Sequence, residues 1–416
     1  MPLEKDWYTA QRDRIFFTWS AQQNVRGFEI VDAEGPRFKV AGQGWMWDLQ
    51  SQTYNVCAGH RHPQIVARMI EQIQTLPAAH PHALLPVRME LAQLLHLHTG
   101  MHKAFFTTGG SEAVENAIKI ARLVTGRSKI ITRRTSYHGA TLAVLGIAGD
   151  QRKKPFERDL ANAFHIEDPY PAREADGEKC SDWLESLTHL IERENPETIA
   201  AILLEGMTGV NGMQTPPRDF WPGARKLCND YGILLIDDEI FSGFGRTGKW
   251  WAWQHWGAAP DILVLGKGLT SGYGPMGAAL VTEKIARHFD DKILWCGLTN
   301  FAHPVSCAAA VATLRVLENE KLVENAARVG EALRRRLLAL NSGPGGAKIR
   351  DIRGKGLMQA IVFDRPSATF LELLWERGVF APGAADMMFI CPPLCLSEAQ
   401  MNEIMDIVES ALGTWN

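Results

Sequence analysis

Residues 233–277 read ILLIDDEIFSGFGRTGKWWAWQHWGAAPDILVLGKGLTSGYGPMG, and their pattern decides the fold. Two short apolar runs, 233–236 and 262–265, each end in a polar residue followed by glycine-rich chain. Buried parallel strands deliver side chains in this way to a site at their carboxyl ends. Asp238 and Lys267 are then expected at neighbouring strand ends. An acid and an amine so placed suit Schiff-base chemistry, in which the amine binds an aldehyde cofactor and the acid keeps the cofactor's pyridine nitrogen protonated. Two plainer readings stand beside this one. A lysine between glycines is more often a solvated loop residue, and Gly266-Lys267 also looks like part of a phosphate-binding P-loop. The P-loop fails on spacing, because Asp261 and Gly268 stand where Gly and Ser or Thr are needed.

Outward from this stretch, short apolar runs alternate with helical periodicity. Strands are expected at 104–107, 129–132, 198–205, 233–237, 262–265 and 278–282, which predicts an α/β fold with a mostly parallel central sheet flanked by helices. Helical spacing appears in Ile65, Met69, Ile70 and Ile73, in Met89, Leu91, Leu94 and Leu95, and over 220–231. The charged, proline-rich segment 149–196, including Asp168-Pro169-Tyr170-Pro171, reads as a long surface excursion with a helix near 182–193. Before the sheet, 5–17 reads as a helix, and the stretch after it as two strands joined at Ala33-Glu34-Gly35. After the sheet come a helix at 322–340, a turn at 343–346, strands at 349–352 and 357–363, a helix before Gly378 and a strand at 387–391. Ser397 and Gln400 then have capping-box spacing ahead of the last helix. The chain divides on this reading into 1–50, contributing to a small domain, 51–317, the large domain, and 318–416, the rest of the small α+β domain.

Composition excludes several function classes. The 416 residues carry a net charge of −3, with 46% hydrophobic and 22% charged residues, and the mean hydropathy of −0.13 is ordinary for a globular protein. No basic field marks a nucleic-acid or anionic-membrane partner. No apolar run reaches bilayer length and Met1-Pro2-Leu3-Glu4-Lys5-Asp6 begins no secretory signal, so a cytoplasmic location is expected. Seven scattered cysteines fit reduced thiols better than a disulfide framework. Neither Cys391 and Cys395 nor the histidines at 60, 62, 96, 98 and 102 have a full ligand set at metal spacing, so no metal is expected.

Four further residues or motifs invite a chemical reading, three of them beside a plain one. In TTGGSEAVENAIKIAR (107–122), Gly109, Gly110 and Ser111 open a helix, whose unpaired N–H groups suit a phosphate; Ser111 is equally explained as an N-cap. In TSYHGAT (135–141), Tyr137 follows a strand and can lie flat against a heteroaromatic ring. Glu205 ends a wholly apolar strand, where an isolated carboxylate is costly unless paired or functional. Trp19 in FFTWSAQ (16–22) reads either as a pocket wall or as a core aromatic.

The runs DDEIFSGFGRTG (237–248) and LGKGLTSGYGPMG (265–277) closely resemble the aspartate and lysine motifs of class III aminotransferases, pyridoxal-phosphate enzymes of fold type I. The resemblance extends from FFTWSAQ to the final Pro-Pro-Leu and last helix. It implies pyridoxal 5'-phosphate as cofactor and Lys267, Asp238 and Glu205 as catalytic residues. It further implies a phosphate cup at Gly110 and Ser111, ring contacts from Tyr137 and Ile240 on opposite faces, and His138 beside them. Thr299, in GLTNFAHP (297–304), would reach the cofactor phosphate of a neighbouring subunit, so a homodimer with shared sites is implied, or a tetramer built from it. Trp19 and Tyr54 match substrate-pocket segments.

Two departures bear on the substrate. Relatives place a carboxylate-clamping arginine three or about ten residues before the Pro-Pro of the last strand; here those positions are Phe389 and Pro382. Arg134 is a candidate replacement, with a surface role equally open. The sequence most resembles enzymes taking ω-amino acids, taurine-like amines or simple amines, with pyruvate favoured over 2-oxoglutarate as acceptor. A decarboxylase, racemase or aminomutase on the same scaffold, and a non-catalytic dimeric binding protein, are the alternatives.

Overall fold

A computed structural model describes residues 7–25, 27–159, 163–169, 183–209, 211–343 and 346–415. Lys5 and Asp6 of the expected first helix, Tyr170 and Pro171, and two residues of the 343–346 turn lie outside the described residues. The chain opens with a helix, Trp7–Arg14, and a meander of three strands, β1 (Ile30–Glu34), β2 (Arg37–Val40) and β3 (Gly44–Asp48). Two strands were expected here. Glu34 pairs with Arg37 across the first reversal, and Val40 with Gly44 across a second. The second turn hides in AGQG, where Gly42 and Gly44 adopt φ of 75° and 104°, open to glycine at no steric cost.

The central sheet contains β4 (Lys103–Thr107), β5 (Lys129–Arg133), β6 (Ala163–Ile166), β7 (Ile199–Glu205), β8 (Leu234–Asp238), β9 (Ile262–Leu265) and β10 (Gly277–Val281). Their spatial order is β4-β10-β9-β8-β7-β5-β6. Only β10 runs antiparallel to its neighbours. The apolar runs are continuous because helices cover both faces. Along β7, Ala201 and Leu203 pack with Ala113, Ala117 and Ile120 of helix Gly110–Thr125. The alternate residues Ile202 and Leu204 pack with Leu187, Phe220 and Trp221 of the helices Trp183–Arg193 and Phe220–Tyr231. Each such fully buried Leu or Ile contributes roughly 2 kcal/mol. Strand β6 falls inside the expected surface excursion; as an edge strand of four residues interrupted by His165, it carries too short an apolar run to register.

The C-terminal residues form β11 (Ile349–Lys355), β12 (Met358–Phe363), β13 (Val379–Phe380), β14 (Gly383–Ala384) and β15 (Met387–Ile390). Four of these make a sheet in the order β11-β12-β15-β14, while β13 pairs with β3, tying the N-terminal meander to this end of the chain. Helices Leu322–Ser342, Ala368–Glu376 and Glu398–Thr414 pack on it. The last begins with the capping box of Ser397 and Gln400. No helix among the described residues is long and apolar enough to cross a membrane.

Candidate active site

Parallel register brings the chemistry together. Glu205 is level with Asp238 across β7 and β8, and Asp238 is level with Val264 on β9, three residues before Lys267. Beyond β5 come Tyr137 and His138, and beyond β4 the turn at Gly109. These carboxyl ends surround a cavity of about 370 Å³. Lys267, Asp238, Glu205, Gly110, Ser111, Tyr137, His138, Ile240, Trp19 and Tyr54 all line it.

Asp238 is fixed from two sides: its Oδ2 is 2.8 Å from His138 Nδ1 and its Oδ1 accepts from Ile240 N at 3.1 Å. His138 is itself held at 3.0 Å by Thr132 Oγ1, so the imidazole orients the carboxylate. Asp237 and Glu239, on either side of Asp238, stand outside the cavity. Burial pushes both their carboxyls up, Glu239 to about 7, so this pair stays short of two full charges. Glu205 also feels burial as the larger effect, raising it, while Arg133 opposes. Arg133 Nη2 donates to Glu205 at 2.6 Å and its Nη1 to Asp168 at 2.9 Å, and Gly209 N donates to Glu205 at 2.9 Å.

Lys267 follows Gly266 with a φ of 37°, a left-handed conformation uncommon outside glycine. Its Nζ lies 4.5 Å from the centroid of the Phe241 ring and 5.9 Å from that of Tyr54. No ion pair holds it among the described residues. Burial lowers the amine to about 8, with Asp238 and Glu205 pulling the other way. A larger neutral fraction than a solvated lysine has near neutral pH suits a nucleophilic role.

Tyr54 reaches the cavity from a strained turn. Ser51, Gln52, Thr53 and Tyr54 have φ of 50°, 45°, 68° and 63°. Left-handed backbone costs ~1–2 kcal/mol per non-glycine residue, and the surrounding bonds offset it. Asp48 accepts from Gln50 N and Gln52 N at 3.0 and 3.2 Å, and Ser51 Oγ donates to Cys391 O at 2.6 Å. The turn presents Thr53 and Tyr54, with the Tyr54 ring 4.4 Å from that of Phe241.

The cavity suits an aldehyde carrying a phosphate. Gly109, in extended backbone, is the N-cap of Gly110–Thr125, and Ser111 lies inside the helix rather than capping it. The Ser111 hydroxyl instead accepts from Ala140 N at 2.9 Å. First-turn N–H groups of Gly110, Ser111 and Glu112 have no partner among the described residues, which leaves an anion cradle. The cradle leaves no room for side chains: a Cβ on Gly110 would sit 2.8 Å from Ile240 Cδ1, and one on Gly139 would strike Ser111 Oγ.

Residues 19–412 match the profile of the family described as Aminotransferase class-III. The chain is a class III aminotransferase. It is 31% identical over 410 residues to the acetylornithine aminotransferase of Archaeoglobus fulgidus, covering 97% of this chain and 99% of that one. It is 29% identical to the putrescine–pyruvate aminotransferase of Pseudomonas aeruginosa, covering 98% and 96%. The solved structure of taurine:2-oxoglutarate aminotransferase from Bifidobacterium kashiwanohense, in complex with PLP and glutamate, matches with a TM-score of 0.91. The identity is 30%, covering 97% of this chain and 96% of that one. The aminotransferase thus has the fold type I architecture of PLP-dependent transaminases.

Thr299 stands apart. It lines a separate groove with Lys103, Phe105 and Phe301 and does not reach the cavity of its own chain. Arg134 is no carboxylate clamp in this aminotransferase: its side chain is 62% exposed and pairs with Glu167 at 2.6 Å. Phe389 is buried against Met207, Met213 and Met358, and its N–H donates to Pro382 O at 2.8 Å, so neither position brings a cation. Trp19, at 57% exposure, is no core aromatic; its ring meets that of Tyr137 edge-on at 6.4 Å. Sequence reasoning missed Phe241 and Arg152, both in the cavity wall. Phe241 directly follows Ile240 and was within reach of the motif. Arg152 sits in the segment read as surface excursion, where no periodicity pointed inward.

Proposed function

We propose that this class III aminotransferase moves an amino group from an ω-amino acid, a taurine-like amine or a simple amine to an oxo acid, favouring pyruvate over 2-oxoglutarate. The cofactor is pyridoxal 5'-phosphate, as in its family. When bound, it supplies an aldehyde for amine capture and a pyridine ring that takes up electrons from the substrate carbon. Lys267 Nζ would provide the nucleophile that anchors it and, once free, would move a proton from the substrate carbon to the carbon that carried the aldehyde. Asp238, held by His138, would face the ring nitrogen. Gly110 and Ser111 would hold the phosphate, and Tyr137 and Ile240 would bracket the ring. Glu205, anchored by Arg133, stands at the substrate side.

The substrate class rests on one observation: apart from Lys267 and Arg152, the described residues lining the cavity are uncharged, acidic or imidazole, and the Phe389 and Pro382 positions offer no cation. Aromatic walls from Trp19, Tyr54 and Phe241 suit a carbon chain without an α-carboxylate. A single guanidinium suits a monocarboxylate acceptor better than a dicarboxylate. The test is a donor and acceptor panel on the purified holoenzyme, with products identified.

The lowered Lys267 gives a pH prediction. Below about pH 8 the neutral amine fraction falls roughly tenfold per unit. The rate at which apoenzyme regains its yellow absorbance with pyridoxal phosphate should rise to about pH 8 and then level off. A rate still climbing through pH 10 would mean an ordinary, solvated lysine.

We place the active unit as a homodimer. Leu84, Met89 and Leu97 are 97%, 57% and 68% exposed, and Ile70 and Ile73 about half, an apolar surface that a second copy would cover. Pro81 and His82, close to Leu84, line the same groove as Thr299, which would serve the partner's phosphate. Thr299→Ala should leave the dimer mass unchanged and weaken pyridoxal-phosphate binding roughly tenfold, the loss of one hydrogen bond to a charged group. An unchanged dissociation constant in an absorbance titration would remove Thr299 from the site.

A further inference from the structure

The loss of arginine at Phe389 and Pro382 leaves open how an oxo acid's carboxylate is held, and Arg152 has the geometry for it. Its Cζ lies 3.8 Å from the centroid of the Tyr137 ring and 4.8 Å from that of Trp19, at the cavity wall. Asp150 holds one edge of the guanidinium: Nε donates to Oδ1 at 2.8 Å and Nη2 to Oδ2 at 2.7 Å. Arg152 N donates to the same carboxylate at 2.8 Å. Nη1 has no hydrogen-bond partner among the described residues, so the Nη1–Nη2 end remains for a second pair of oxygens. A planar group fixed on one edge and packed on aromatic faces has little rotamer freedom left to lose on binding.

The other cations nearby are committed. Arg133 is spent on Asp168 and Glu205, Arg246 donates to Leu357 O, and Lys267 is the cofactor's amine. Asp150 adds a second feature. It neutralises Arg152 when no carboxylate is present, so an uncharged amine chain can occupy the cavity without leaving an unpaired cation. One guanidinium then tolerates a donor without a carboxylate and still recognises an acceptor with one.

We propose that Arg152 binds the carboxylate of the oxo-acid acceptor and sets the preference for a monocarboxylate. This deepens the proposed function and rests on it. The test compares pyruvate with propanal, which has the carbonyl but no carboxylate, using one amine donor and holoenzyme. Arg152→Ala should lower kcat/KM for pyruvate roughly 10- to 100-fold, mainly through KM, as expected for losing a charge-assisted contact. The loss on propanal should be about tenfold smaller, and Arg152→Lys should recover part of the pyruvate loss without the bidentate geometry. Equal losses on both acceptors would make Arg152 a support for Tyr137 and Trp19 and overturn the proposal, as would an unaltered pyruvate KM. If Arg152→Ala fails to fold, Arg152→Gln gives the same ratio. Wild-type rates with pyruvate and 2-oxoglutarate separate the two claims: a preference for 2-oxoglutarate contradicts the acceptor reading, while the pyruvate-to-propanal ratio still judges Arg152.

Discussion

Lys267→Ala should abolish both the yellow colour of the purified enzyme and its turnover, a loss of roughly 10⁴-fold or more, because the proposed function makes one amine both nucleophile and proton carrier. The size of the effect follows from the site's design. Arg133 is committed to Glu205 and Asp168, and the always-protonated guanidinium of Arg152 is no nucleophile, so among the described residues lining the cavity no other amine can take over. Burial has brought Lys267 to about 8, where it can be both captured and released near neutral pH. An ordinary surface lysine would be slower at the first part, since near neutral pH it stays protonated and a protonated amine cannot attack. Far-ultraviolet circular dichroism of the variant should match the parent, because the Lys267 side chain makes no hydrogen bond or ion pair among the described residues and Ala keeps the backbone bond from Thr270 N. Retained amination by Lys267→Ala would exclude this lysine from the chemistry.

The next largest effect is expected at Asp238. Asp238→Asn keeps the shape and can still meet His138 Nδ1, but removes the carboxylate that the proposed function sets against the ring nitrogen. A rate loss of about 10²- to 10³-fold is expected, the usual cost of removing one preorganised electrostatic contact to developing charge. Cofactor affinity should fall far less, because the proposed phosphate cradle at Gly110 and Ser111 is untouched. The diagnostic result is that split between kcat and the cofactor dissociation constant. A variant as fast as the parent would take Asp238 out of the mechanism, and an equal loss in both would make it a structural residue.

Much of the candidate site was legible because it sits where strands end. The apolar runs before Asp238, Lys267 and Glu205 are long enough to mark buried strands, and strand ends in such a sheet converge by geometry alone. Register then does what sequence cannot: Glu205 meets Asp238 because β7 and β8 run level. The illegible parts have equally physical reasons. The turn at AGQG interrupts a pattern that otherwise alternates, so three strands read as two. The left-handed turn at Ser51–Tyr54 uses no glycine, so nothing in its composition announces it. Arg152 reaches the cavity from an irregular segment, and only tertiary packing shows that it lies on Tyr137 rather than in solvent. Arg134 and Arg152 are alike in sequence, one paired with Glu167 outside and the other with Asp150 at the cavity.

The donor and acceptor panel on purified holoenzyme tests the central claim most directly. The expected result is alanine formed from pyruvate with terminal-amine, ω-amino or taurine-like donors, and slower product with 2-oxoglutarate. Carbon dioxide release or stereochemical inversion without an acceptor, or a clear preference for donors bearing an α-carboxylate, would contradict it.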